Sequence, residues 1–166
     1  MAKKSSRSRK RKKSPPVDDG RRVIATNRKA RYDFHLLAKV EAGLALRGSE
    51  VKSLRVNGAT IREAYARMKD DELWLVGAHI PPLPQASYQN HEPLRPRKCL
   101  VHKRELRKIA DGLEAKGLTM VPLSLYFKGV RVKVELALAR GRQKGDQRSR
   151  EREKSDRKEI RDYRGR

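Results

Sequence analysis

Leu118-Thr119-Met120-Val121-Pro122-Leu123-Ser124-Leu125-Tyr126-Phe127, then Lys128-Gly129, then Val130-Arg131-Val132-Lys133-Val134-Glu135-Leu136-Ala137-Leu138 form the clearest pair of strands in this chain. The Lys-Gly step is a short turn, so the pair reads as a β-hairpin. Upstream, Leu106, Ile109, Ala110 and Leu113 follow the i, i+3, i+4, i+7 spacing of an amphipathic helix, with Gly117 placed as its stop. Before that, five prolines fall between Pro81 and Pro96, which excludes helix and central strand and marks a long loop. Ile61–Met68 and Glu72–Ile80 read as two strands joined at Lys69-Asp70-Asp71. Gly48-Ser49 offers an N-cap for a short helix through Val51, Leu54 and Arg55 that stops near Asn57-Gly58. Tyr32, Phe34, Leu36, Ala38 and Val40 alternate with mostly polar residues as a strand that Gly43 bends. Short, bent, glycine-interrupted strands with a helix at one end predict a mainly β fold, an oligonucleotide-binding (OB-like) closed β-barrel with two or three packed helices.

Charge divides the chain into three parts. Residues 1–22 carry 10 Lys and Arg against 2 acids, 23–138 carry 21 against 12, and 139–166 carry 12 against 6, for a net +23. A basic core with basic ends is the electrostatic layout of a nucleic-acid-binding protein. The expected division is a basic arm over 1–22, an RNA-binding barrel over 23–140 and a basic tail over 141–166, both ends too polar to order alone. Cys99 is the single cysteine, so no intramolecular disulfide forms and a reducing cytoplasm is the expected compartment. No apolar run approaches a membrane span or the core of a signal peptide, so neither a membrane nor a secretory role is expected.

Catalytic chemistry finds little support. The phosphate-cradling glycine patterns are missing, and His35, His79, His91 and His102 are scattered without metal-ligand spacing. Cys99 follows Arg97 and Lys98, a setting that lowers a thiol pKa, but no histidine partners it in the same motif. No cofactor, metal or enzymatic activity is expected. Asn27-Arg28-Lys29-Ala30-Arg31-Tyr32 opens the first predicted strand, and Leu94-Arg95-Pro96-Arg97-Lys98 closes the proline-rich loop. Guanidinium groups fork onto phosphates and stack on bases, and an amide such as Asn27 reads base or ribose edges. Two such runs bordering one barrel point to RNA.

Seven motifs then occur in order: Asn27-Arg28-Lys29-Ala30-Arg31, Glu41-Ala42-Gly43-Leu44, Gly48-Ser49-Glu50-Val51-Lys52-Ser53-Leu54-Arg55, Leu94-Arg95-Pro96-Arg97-Lys98, His102-Lys103-Arg104-Glu105-Leu106, Lys116-Gly117-Leu118-Thr119, and Lys133-Val134-Glu135-Leu136-Ala137-Leu138-Ala139-Arg140-Gly141. Over about residues 23–160 the chain resembles the SmpB family of tmRNA-binding (SsrA-binding) proteins. The resemblance implies an OB-like barrel that binds the elbow of the tRNA-like domain of tmRNA, promotes its alanylation, and delivers it to stalled ribosomes in trans-translation. Alanyl-tRNA synthetase and elongation factor Tu are then partners only through tmRNA, and the protein is a monomer. Carried onto this sequence, the tmRNA face comprises Asn27, Arg28, Lys29, Glu41, Lys52, Arg55, Tyr65, Arg97, Lys98 and Leu100. Arginine and lysine suit phosphates, Asn27 and Glu41 suit base or ribose donors, and Tyr65 and Leu100 suit unstacked bases. Arg140, Arg142, Asp146, Gln147, Arg148 and Ile160 are the expected residues of the ribosome's decoding centre and message channel. In this tail Asp146 with Arg150, Glu153 with Arg157 and Asp162 with Arg166 are helix-favouring i, i+4 pairs. Gly145 and Gln143 depart from the family pattern, which commonly has an aromatic residue or histidine, and a basic residue, at these places.

Overall fold

The computed structural model of the chain describes residues 20–83, 90–114 and 117–142. Seven strands, β1 (Arg21–Thr26), β2 (Phe34–Leu44), β3 (Tyr65–Lys69), β4 (Glu72–Val76), β5 (Arg97–Leu100), β6 (Leu118–Lys128) and β7 (Arg131–Gly141), make one antiparallel sheet. Three helices accompany it, α1 (Arg28–Asp33), α2 (Gly48–Val56) and α3 (Lys103–Glu114). The pairings β6–β3–β4–β5–β2–β7 return to β6, so the sheet closes on itself as an OB-like ring. β6 closes it by serving two neighbours along one edge, β1 from Ser124 to Lys128 and β3 at Met120.

The hairpin that opens the sequence argument is the longest paired stretch. Its turn residue Gly129 has φ +58°, a left-handed value that glycine adopts at no steric cost. Met120 and Leu125 both enter the ring's interior although they are five positions apart, an odd spacing that strict alternation forbids. A register shift between Pro122 and Ser124 supplies the missing half-step, and it also seats a proline, which cannot donate to a ladder. On β7, Val132, Val134 and Leu136 point inward to Ala42, Leu73, Leu75 and Met120, while Ile109 of α3 and Leu54 of α2 also join this core. A second, smaller cluster lies on the outer face, where Ala30 of α1 rests on Val121, Leu123, Ala137 and Ala139. The two alanines of β7 leave room for the helix.

Several elements differ from the sequence reading. Residues 28–33 are helix rather than the opening of a strand, and β2 begins only at Phe34. β1 precedes them from Arg21, two residues ahead of the expected start of the folding segment. β3 begins at Tyr65 rather than at Ile61, β4 ends at Val76 rather than at Ile80, and Thr60 and His79 meet only as an isolated bridge. Arg97 and Lys98, read as closing the proline-rich loop, instead open a strand, Arg97–Leu100, between β4 and β2.

Candidate nucleic-acid interface

The ladder register draws a continuous row across five strands of the outer face: Val23 beside Tyr126, Tyr126 beside Lys133, Lys133 beside Gly43, and Gly43 beside Leu100. The row above it is Arg21, Lys128 and Arg131, and the row below is Glu41, Glu135, Ser124 and Thr26. The result is a basic band with two paired acids, Glu41 and Glu135, near its centre and an exposed apolar residue at each end, Val23 at 60% and Leu100 at 52%. Gly43 and Leu100 are close neighbours in this row, since a Cβ at Gly43 would stand 3.4 Å from Leu100 Cβ. Lys98 shares the outward side of β5 with Leu100, while Cys99 between them is buried.

Glu41 is held from three sides. Tyr126 Oη and Lys133 Nζ both donate to its carboxylate, and Arg21 Nη2 lies 3.6 Å away. The hydrogen bonds from Lys133 and then Tyr126 lower its pKa to about 2, against an ordinary 4.5. Burial, and then the bond to Glu41, push the Tyr126 phenol above its ordinary range, so it stays a donor. The Arg21 guanidinium caps the Tyr126 ring at 5.0 Å from its centroid. Alongside, Glu135 accepts from Ser124 Oγ at 3.1 Å and pairs with Lys39 at 3.3 Å. A carboxylate fixed as an anion within a cationic field accepts hydrogen bonds from amino groups and ribose hydroxyls, while its neighbours neutralise phosphates.

Of the residues singled out from sequence, Glu41, Lys98 and Leu100 therefore belong to one face. Lys98 also pairs with Glu72 at its margin. Lys52 and Arg55 are exposed on α2, where the Arg55 guanidinium lies 5.8 Å from the Phe127 ring centroid. Arg28 and Lys29 stand on α1, where Lys29 and Tyr65 line a separate cleft with Arg62 and Glu63; Lys29 Nζ is 3.6 Å from Glu63 and 3.9 Å from Asp33.

Two expectations of direct contact are corrected. Arg97 is fully buried, its guanidinium bound to Glu50 and to the Ala78 and Pro93 carbonyls. Asn27 is 3% exposed, and both its amide hydrogens go to the Ile61 and Arg62 carbonyls at 3.1 and 3.2 Å. Its Oδ1 accepts from the Ala30 N–H at 3.0 Å and so caps α1. The setting of Cys99 also reverses: burial pushes its thiol up to about 12, and no cationic neighbour offsets that. Arg140 is exposed at the end of β7, and the Arg142 N–H donates to the Asp33 carbonyl at 3.0 Å. Asp146, Gln147, Arg148 and Ile160 lie outside the described residues. Sequence reasoning overlooked Tyr126, Arg21, Lys128 and Arg131. The signal was available, since Arg131, Lys133 and Glu135 alternate with the inward Val132, Val134 and Leu136.

A closed OB-like ring bearing a basic outer face defines a nucleic-acid-binding module. The model of the SmpB protein family matches residues 24–165. The SsrA-binding protein of Koribacter versatilis is 47% identical over 159 residues, covering 96% of this chain and 91% of the relative. That of Carboxydothermus hydrogenoformans is 51% identical over 127 residues, 76% of this chain and 85% of its own. Among solved structures, a chain of "tmRNA-SmpB: a journey to the center of the bacterial ribosome" matches with a TM-score of 0.62 and 46% identity, over 73% of this chain and 85% of that one. The chain belongs to the SmpB family.

Proposed function

We propose that this protein binds tmRNA and brings it to stalled ribosomes in trans-translation, acting in the cytoplasm as a monomeric adaptor and not as an enzyme. The continuous outer face of β1, β6, β7, β2 and β5 carries the proposal: there phosphate-binding cations, a fixed carboxylate and an exposed apolar residue stand in register. The relatives are named for SsrA binding, and the solved neighbour is described with tmRNA on the ribosome. Arg21, Lys98, Lys128 and Arg131 meet phosphates, Glu41 accepts from base or ribose donors, and Leu100 packs on an unstacked base. Lys52 and Arg55 extend this contact from α2, and Arg28, Lys29 and Tyr65 flank it from α1 and β3. Asn27 and Arg97 serve it from inside, by holding α1 and β5 in place. Clasping the tRNA-like domain favours its alanylation by alanyl-tRNA synthetase and its carriage by elongation factor Tu. Arg140, Arg142, Asp146, Gln147, Arg148 and Ile160 then read the decoding centre and the empty message channel. Sequencing the RNA that co-purifies with the protein from its own cells is the direct test. Enrichment of tmRNA is expected, and recovery of only ribosomal RNA at subunit stoichiometry would refute the assignment.

A further inference from the structure

Glu50, on the first turn of α2, has no solvent exposure and yet carries a charge. Its carboxylate accepts from Arg95 Nε at 2.8 Å and Nη2 at 2.5 Å, from Arg97 Nε at 2.8 Å, and from the Arg47 backbone N–H at 2.7 Å. Arg97, equally buried, reaches the Ala78 carbonyl at 2.5 Å and the Pro93 carbonyl at 3.0 Å with its two terminal nitrogens. One guanidinium thus joins the first turn of α2, the chain leaving β4 and the chain entering β5. Burial alone would raise the Glu50 carboxyl, but the bonds from Arg95, the Arg47 amide and Arg97 outweigh it and hold its pKa below the ordinary value.

A buried ion cluster is a poor route to stability, because desolvating the charges offsets most of their attraction and apolar residues of similar volume often serve as well. What forked guanidinium–carboxylate bonds do supply is a single relative orientation of the elements they join. The elements joined here carry separate parts of the proposed RNA surface. Lys52 and Arg55 stand on the same short helix as Glu50, two and five residues on, and Arg97 immediately precedes Lys98 on the strand that presents Leu100.

We infer that Glu50, Arg95 and Arg97 are positioning residues for RNA recognition, locking α2 to the start of β5 so that Arg55 and Lys98 meet the RNA in one fixed arrangement. This rests on the tmRNA-binding reading above. Arg95 is 20% exposed by side chain and can be removed while the Glu50–Arg97 pair remains, so Arg95→Met is the primary variant. The second is the apolar triple variant Glu50→Leu, Arg95→Met, Arg97→Met. Each full-length protein is titrated against the transcribed tRNA-like domain of tmRNA at several salt concentrations, beside a thermal unfolding curve. Arg95→Met is expected to stay folded at the assay temperature and to bind roughly tenfold more weakly, the scale of effect that loss of preorganisation produces. Its salt slope is expected to match that of the unsubstituted protein, because the missing group touches no phosphate. A slope shallower by about 0.7 to 0.9 would make Arg95 a direct phosphate contact and overturn the inference. Unchanged affinity in folded Arg95→Met would also overturn it, as would a folded triple variant that binds normally. A triple variant that does not fold leaves Arg95→Met to decide. If the unsubstituted protein itself does not bind this RNA, the tmRNA reading falls and the inference with it.

Discussion

An acid at the centre of the proposed RNA-binding surface has to be kept from either repelling the ligand or picking up a proton, and Glu41 meets both demands through its neighbours. Lys133 and Tyr126 hold its pKa at about 2, below the ordinary 4.5, so the carboxylate is an anion throughout the physiological range. A lowered folded-state pKa contributes stability that is fully present above about 4.5 and is lost as pH falls through about 2. The thermal midpoint of Glu41→Gln, followed by circular dichroism, is therefore expected to fall less steeply over that acid window than that of the unsubstituted chain. Equal slopes would show that Glu41 is not held in this way. At neutral pH, Glu41→Ala is expected to weaken tmRNA binding by about 1.5–3 kcal/mol, the usual contribution of a hydrogen bond to a charged group. Cys99 makes a simpler case. With its thiol buried and raised to about 12, it is expected to resist iodoacetamide at pH 8 in the folded protein and to react once urea unfolds it, as read by mass spectrometry.

Elements that carry their own periodicity or turn chemistry were legible in the sequence. The β6–β7 hairpin and α3 have long apolar patterns, α2 is bracketed by start and stop signals around Val51 and Leu54, and the β3–β4 turn uses Asp70 and Asp71 at φ 51° and 56°. The elements missed are short and held by partners distant in sequence. α1 has six residues and buries only Ala30, too little for a helical period to show, and its N-cap Asn27 reads from sequence as an RNA contact instead. β1 pairs with β6 alone and begins with two exposed arginines. β5 has four residues, and its first is an arginine whose buried charge is matched by Glu50, 47 positions earlier. The same reasoning explains why Glu41 and Leu100 could be named from a resemblance while the row that unites them needed the register. Glycines give a test at this scale. Gly77, just past β4, has φ +74°, and an added Cβ would stand 3.2 Å from the Glu63 carbonyl oxygen, so Gly77→Ala should cost about 1–2 kcal/mol in urea unfolding. Gly48 opens α2 with nothing within 4 Å of an added Cβ, and Gly48→Ala should instead stabilise by about 0.5 kcal/mol. Equal effects at the two positions would contradict the backbone described here.

Across the whole molecule, the net charge of +23 and the closed ring have separable consequences. Affinity for tmRNA should fall linearly as log salt rises, with a slope of about −0.7 to −0.9 for each phosphate neutralised. Residues 1–20 hold eight lysines and arginines ahead of β1, so deleting them should flatten that slope while preserving preference for tmRNA over an unrelated RNA of equal length. The opposite end should separate binding from rescue. β7 ends at Gly141 and the Arg142 N–H still bonds Asp33, so truncation after Arg142 keeps every described strand and the complete outer face. Such a protein is expected to bind tmRNA within a few-fold of the full chain. It is also expected to fail at peptide tagging on a non-stop message, because residues 143–166, which would span about 36 Å as a helix, are the segment long enough to report an empty channel. The double variant Glu41→Ala, Arg55→Ala is expected to show the converse, weakened tmRNA binding with the tail intact. Filter-binding titration and in vitro tagging, run side by side on both proteins, decide the matter. A truncated protein that tags normally, or that loses tmRNA affinity as severely as the double variant, would mean that one surface performs both tasks.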